Sequence, residues 1–574
     1  MGVKDSEHPP GPLWEYAMTR DPSLVKKANK LVRMGMKHLD SSNADIQAAE
    51  CFMQAATLGN ALAHYNLGLM HALGRGVERD DEKMAGHFTY AARQGHRDAQ
   101  AVLAWLYFHG DGVECNREEA AKWFQEAAEK GHAESQHQLA IIHMFGLGLP
   151  QDYQKAAKWY WDAAEQDHEC GSRIEAMKRS GRNPKLYNSI IQNRIEEAGR
   201  LKALAEKGDH NAQFELGYMH ELGEGVAASR MLAAKWYKKS YTQGNPKAMA
   251  HLAEIIWNDC IISSGEKQFP KEYSKWLIRE FGEGDLGDRG LKAKALELSK
   301  RAAELGDPKG MLNLSEMLDH DSELDNLGKE FEDPKAARGW FIKSAENGDF
   351  ESLCELAAMA YYQEDGYGIK IRKNQKKALK WLTKASEEGH EQSKLWLGEM
   401  YRDGKQVPKD IPKALHYFIK WAMGHGSNKE ELFDLLASQN DLKLLQSAEW
   451  VLAGEALQGN KYAQYTLGMI YFEGIVTSND YPKAAHWLKR SASQGDVDSM
   501  GKVAYCYDKG GHGLKTSRVK AYAWLKTATG SGHEDCEKRL LELTPKMTES
   551  QIKAAEEMIS KLEEEYPTMG NSYP

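Results

Sequence analysis

One spacing governs this chain. Leu67, Leu103 and Leu139 stand 36 residues apart; Trp123 and Trp159 keep the step, as do the pairs Gly95-His96 and Gly131-His132. A fixed period of about 20–50 residues is the signature of a solenoid, in which each unit buries its apolar face against its neighbours alone. One period reads as two helices. In 97–132, Leu103, Ala104 and Tyr107 fall at helical spacing, and Gly110 and Gly112 stop that helix. Asn116 caps a second helix, with Glu119 placed to complete a capping box, and Ala120, Trp123, Ala127 and Ala128 carry it to Gly131. The fold class expected is therefore all-α, an α/α superhelical solenoid of helix–turn–helix repeats.

The slots of the repeat absorb most of the conspicuous residues. The second-helix cap recurs at Asp81, Asn116, Asp152, Ser229, Asp333, Asn374, Asp410, Asp480 and Ser517. Each is followed by an alanine and then an aromatic: Phe88, Trp123, Trp159, Trp236, Trp340, Trp381, Tyr417, Trp487 and Trp524. These rings read as core posts that fill the space beside the small residues, so the 15 tryptophans do not imply an aromatic ligand site. His96, His132, His168, His390 and His533 share a slot with Asn60, Asp209, Asn245, Asp307, Asp349, Asn460 and Asp496, all suited to turns and caps. A zinc reading of those histidines fails, because ligands must lie about 2.1 Å from the ion and packed helices are about 8–10 Å apart. The glycine pairs Gly74/Gly76, Gly110/Gly112, Gly146/Gly148, Gly223/Gly225 and Gly366/Gly368 follow helices and read as turns, not phosphate loops.

Leu397-Gly398-Glu399-Met400-Tyr401 and Leu467-Gly468-Met469-Ile470-Tyr471, with the Gly-x-Gly turn, Asp-x-x-Lys-Ala-x-x-Trp and Ala-Ala-x-x-Gly-His that recur beside them, resemble Sel-1-like repeats, relatives of the tetratricopeptide repeat. The resemblance runs over roughly 45–540. It implies a solenoid that assembles or regulates protein complexes, with a peptide or protein as partner. In the tetratricopeptide fold the inner surface uses first-helix residues on either side of the Leu-Gly pair. Carried over, the partner-binding concave face is Tyr65, Trp105, His137, Ile141, Phe214, Tyr218, Tyr465, Met469 and Tyr505. Aromatic side chains along a groove suit peptide binding; the competing reading is that they pad the packing between first helices.

The slots also set the expected organisation. A tail over 1–20 precedes N-terminal capping helices over 21–60 and repeats over 61–168. An insertion with a half-repeat occupies 169–209, and repeats resume over 210–426 with insertions at 259–290 and 321–332. A helical insertion follows over 427–460, then repeats over 461–533 and capping helices with a tail over 534–574. In the last stretch Thr548 and Gln551 form a second capping box.

Composition removes other classes. Lys+Arg 75 against Asp+Glu 84 gives a net charge of −9, without the basic excess of a nucleic-acid binder. No apolar run approaches the length of about 18 residues that spans a membrane. The seven cysteines contain no Cys-x-x-Cys pair, which suits free thiols and a cytoplasmic setting. No His-Glu-x-x-His or Gly-x-Ser-x-Gly motif is present, so no catalytic residue, cofactor or metal is expected. Glu283, Asp285 and Asp288 read as a polar linker in preference to a calcium loop, and Gly510–Thr516 lacks the Gly-Lys junction of a P-loop. Two alternatives stand beside the scaffold. Cysteine-rich members of the resembled family bind or slowly cleave β-lactams, but this chain lacks their paired cysteines. Met1-Gly2 with Ser6 fits the short N-myristoylation pattern, which would make a membrane-tethered adaptor. The oligomeric state is left open.

Overall fold

A computed structural model describes residues 22–39, 44–164, 184–263, 271–281, 287–319, 333–362, 375–424, 429–438, 442–476, 479–511, 514–530 and 533–566. Among them are 28 α-helices and no β-strand. The first are α1 (Pro22–Leu39), α2 (Asp45–Thr57), α3 (Ala61–Leu73), α4 (Asp81–Arg93), α5 (Arg97–His109), α6 (Arg117–Glu129), α7 (Ala133–Phe145) and α8 (Tyr153–Ala164). Then come α9 (Pro184–Glu206), α10 (His210–Leu222), α11 (Arg230–Tyr241), α12 (Pro246–Ser263), α13 (Lys271–Phe281), α14 (Gly287–Glu304), α15 (Pro308–Asp319), α16 (Pro334–Glu346), α17 (Phe350–Tyr362), α18 (Gln375–Glu387) and α19 (Glu391–Asp403). The last are α20 (Ile411–Gly424), α21 (Lys429–Ala437), α22 (Leu442–Leu457), α23 (Lys461–Glu473), α24 (Tyr481–Ser493), α25 (Val497–Lys509), α26 (Arg518–Thr529), α27 (Glu534–Leu543) and α28 (Glu549–Glu565). The solenoid class expected from the period is what the chain forms.

Caps explain where these helices start. Asn116, Ser229, Asp333, Asp480 and Ser517 each accept the backbone N–H three residues on, a bond that stabilises a helix by about 1 kcal/mol. In the 61–96 repeat the cap is Asp80, not the expected Asp81. Most first helices are capped by the shared turn slot, while His390 instead meets the Ser393 hydroxyl at 2.6 Å. His96, His132 and His533 accept with Nδ1, and Asn60, Asp209, Asn245, Asp307, Asp349, Asn460 and Asp496 with a side-chain oxygen. The Asn116–Glu119 box is half made, because the Glu119 carboxylate goes to Lys122 at 2.6 Å. The Thr548–Gln551 box forms in full.

At several slots the core post lies one residue later than expected. Phe124, Tyr160, Tyr237 and Phe341 are fully buried there, and Phe88 is fully buried where it was expected. Trp123, Trp159, Trp236, Trp340 and Tyr417 are half-buried, and lysines lie over some of their faces, Lys239 at 4.0 Å from the Trp236 ring and Lys343 at 4.2 Å from Trp340. The buried ring presses on the Leu-Gly pair of the preceding helix: a Cβ on Gly68 would stand 2.7 Å from Phe88, and one on Gly217 2.7 Å from Tyr237. That close approach is why the pair holds glycine. Trp381, Trp487 and Trp524 are buried as expected.

Neighbouring hairpins are stapled by a recurring glutamine. Gln100, Gln136, Gln213 and Gln464 each donate to the carbonyl eight residues back, at 3.2, 3.2, 3.0 and 2.9 Å. The chain divides into two compact units, Met1–Ser189 with Ile411–Pro574, and Ile190–Asp410. In the second, α13 interrupts the repeat between α12 and α14 and inserts Tyr273, Leu277 and Phe281 into the cluster around Phe214, Tyr237 and Leu252. The Gly2 acylation pattern, His168, the 321–332 insertion, Glu283, Asp285, Gly366, Gly368 and Asn374 lie outside the described residues.

Candidate interaction faces

In the first unit, the expected concave positions of the early repeats are covered by the chain itself. Trp105 is 3% exposed and donates its indole N–H to the Gln458 carbonyl at 2.9 Å. Gln458 in turn donates from Nε2 to the Tyr65 hydroxyl at 3.2 Å, while its Oε1 lies 3.3 Å from His132 Nε2. Gly459, at φ 105°, sits against the Trp105 indole with no room for a Cβ. Farther along the same seam Arg75 pairs with Asp45 at 2.8 Å, donates to the Gln446 carbonyl at 3.0 Å and lies over the Trp450 ring. Arg490 pairs with Asp111, and Arg117 donates to the Glu565 carbonyl at 3.0 Å.

The other expected positions of this unit vary. Ile141 and Met469 are buried. Tyr465 is buried beneath the Lys429 ammonium, 4.3 Å from its ring, and Lys429 pairs with Asp496 and Asp498. His137 is half-buried with its edge to Tyr160, and Tyr505 is half-buried between Phe472 and Arg539.

In the second unit the two expected positions differ in exposure. Phe214 is buried, whereas Tyr218, one helical turn on in α10, is 38% exposed. Their ring centroids are 6.3 Å apart, and the His251 ring from α12 stands 5.3 Å from Phe214 and 5.5 Å from Tyr218. Beside them Glu221 accepts from the Tyr237 hydroxyl at 2.5 Å and meets His251 Nδ1 at 3.3 Å. Lys309 of α15 holds Glu254 at 3.1 Å. Burial alone would raise the Glu221 carboxyl, but the bonds from His251 and Tyr237 outweigh it and hold it low. Burial alone would lower Lys309, but the charge and hydrogen bond of Glu254, with the charges of Glu351 and Asp349, together outweigh it and hold it raised. At Glu316, desolvation and then the charges of Glu351 and Glu254 push the carboxyl up to about 7.

Ligand atoms of Glu221, His251 and Glu254 fall within 4.8 Å of one another, the one such metal-competent set among the described residues. Both carboxylates already have protein donors, in Tyr237, His251 and Lys309. The carboxylates of this face escaped the sequence reading, although a signal was present: Glu254 is one 36-residue period after Tyr218, in the same slot.

Comparison with known proteins agrees with the repeat. The profile of the Sel1 repeat matches residues 61–96, 97–132, 133–168, 210–245, 280–307, 308–349, 351–390, 392–425, 461–496 and 497–533. A protective antigen of uropathogenic Escherichia coli with an SLR fold is 23% identical, over 91% of this chain and 96% of that one, with a TM-score of 0.32. A Sel1 repeat protein from Oxalobacter formigenes is 23% identical over 55% of this chain and 96% of its own, with a TM-score of 0.23. With the ten profile matches covering more than half of its residues, the chain belongs to the Sel1 repeat family.

Proposed function

We propose that this protein is a non-catalytic interaction scaffold that holds a peptide or partner protein on the first-helix face of its second unit, around Phe214, Tyr218 and His251. Sel1 repeat proteins generally act in protein–protein interaction. The observation that carries the location is the exposure of Tyr218 on a face whose early-repeat counterparts, Tyr65 and Trp105, are sealed by the chain's own Gln458. An exposed tyrosine backed by packed rings is a rigid, amphipathic anchor of the kind that dominates interface energetics. Cys51, Cys115, Cys354, Cys506 and Cys536 are free, which fits a cytoplasmic setting. The test starts with partners captured from the native cell and then titrated against purified protein. Tyr218→Ala should weaken the titrated partner by at least about tenfold, equivalent to about 1.4 kcal/mol, with the melting temperature unchanged. Unaltered affinity would place the partner elsewhere.

A further inference from the structure

We infer that the first-helix face of the second unit takes an extended basic segment, its Arg or Lys side chains seated along Tyr218, Glu254 and Glu316. This rests on the scaffold reading and adds the chemistry of the partner.

The argument begins in the first unit. Trp105 is the ninth residue of the 97–132 repeat and reaches the main-chain carbonyl of Gln458. That slot therefore faces a segment of polypeptide in this very molecule. Tyr218 and Glu316 are the ninth residues of the 210–245 and 308–349 repeats, and Glu254 follows Tyr218 by one period. Along three successive first helices, α10, α12 and α15, the slot thus changes from aromatic to acidic. The last two are tied directly, Asn313 donating to the Ala250 carbonyl at 2.9 Å.

Acidic neighbours outnumber basic ones around Glu316, while Lys247 lies 5.9 Å over the Phe214 ring at the other end of the face. Three carboxylates, Glu254 on α12 and Glu351 and Glu355 on α17, act on Glu316, against one ammonium, Lys309 on its own helix. Lys309 is committed to Glu254 at 3.1 Å. His251 on α12 is engaged by Glu221. Burial first, and the neighbouring carboxylates after it, raise Glu316 toward neutral pH. An incoming guanidinium would relieve the acidic surplus with charge-assisted bonds to carboxylate, and Tyr218 offers a ring face for a cation. The same surplus repels an acidic segment.

The experiment uses the full chain and three labelled octapeptides of alternating sequence, Arg-Ala, Gln-Ala and Glu-Ala, read by fluorescence anisotropy at about 0.15 M salt. The Arg peptide should bind at least about tenfold more tightly than the Gln peptide, and the Glu peptide least. Glu254→Gln with Glu316→Gln should remove that preference without lowering the melting temperature. Lys309→Met should tighten the Arg peptide severalfold, because it removes the internal competitor. Affinity should rise from about pH 6 to about pH 8 as Glu316 ionises, and Glu316→Gln should flatten that rise. Equal binding of the Arg and Gln peptides, or an undiminished preference in the double variant, overturns the inference. If a native partner still depends on Tyr218 while these carboxylates do not matter, the scaffold stands and the basic partner falls. If Tyr218→Ala is silent as well, both fall.

Discussion

Glycine inside a helix ordinarily costs about 1 kcal/mol relative to alanine, so Gly68→Ala looks like a stabilising change. Here the sign reverses, because the new methyl would lie 2.7 Å from the Phe88 ring in a filled interface. Overpacking of that kind costs about 1–3 kcal/mol, and chemical denaturation of Gly68→Ala should show a net loss. The neighbouring aromatics separate in the same way. Phe124 is fully buried and Trp123 only half-buried. Phe124→Ala should cost about 3–5 kcal/mol, and Trp123→Ala clearly less by the same measurement. The sequence reading had put the post at Trp123. A 36-residue period identifies a slot in the repeat; it does not say which of two adjacent rings turns inward. The shared step of Phe88, Phe124 and Tyr160 was present in the sequence, but the Asp80-Asp81 pair hid it by moving the apparent cap of the first repeat by one residue.

At the scale of the helix, starts and stops were the most legible features, since caps and turn glycines are short-range chemistry. The insertion at 259–290 was legible as a break in the repeat, but not the packing of its helix α13 into the core, because that helix has no counterpart in the repeat. The caps also carry a pH dependence. His132 accepts the Ser135 amide with Nδ1 and lies against Gln458 through Nε2, so the folded chain needs it neutral. Burial pushes its pKa down, as it does for His96, and takes His64, His87 and His486 to about 4. Below the unfolded value of about 6.5 the unfolded chain binds protons that the folded chain refuses, so stability falls as pH falls. Melting temperatures should decline steadily from about pH 6.5 toward about pH 4. His132→Asn keeps a cap acceptor that Asn60 and Asn460 already use in this slot, and it should reduce the slope. An unchanged slope would show that this cap does not titrate.

At the scale of the whole molecule, repeat logic fails in an instructive way. A period encodes contacts between neighbours, whereas the seam of the first unit joins Trp105 to Gln458 across 353 residues and Arg75 to Gln446 across 371. No local pattern announces such a closure. Tyr65, Trp105 and Tyr218 therefore looked alike in the sequence, and only burial separates them. Trp105→Ala should destabilise the first unit by about 3–5 kcal/mol, the range for a buried ring, and speed amide exchange in α22 and α23. Tyr218→Ala should do neither. Equal effects of the two on the melting curve would contradict the difference in their burial.

That seam also sets a timetable. Residues are added at about 5–20 per second during synthesis, so roughly 20–70 s separate the making of Trp105 from that of Gln458. Through this interval the early repeats leave the ribosome with indole and phenol uncovered, and a transcript cut short between the two stretches of the first unit would release them so permanently. For this chain the nascent state is the adhesive one, and its claim on a chaperone is written into how late its own last repeats arrive.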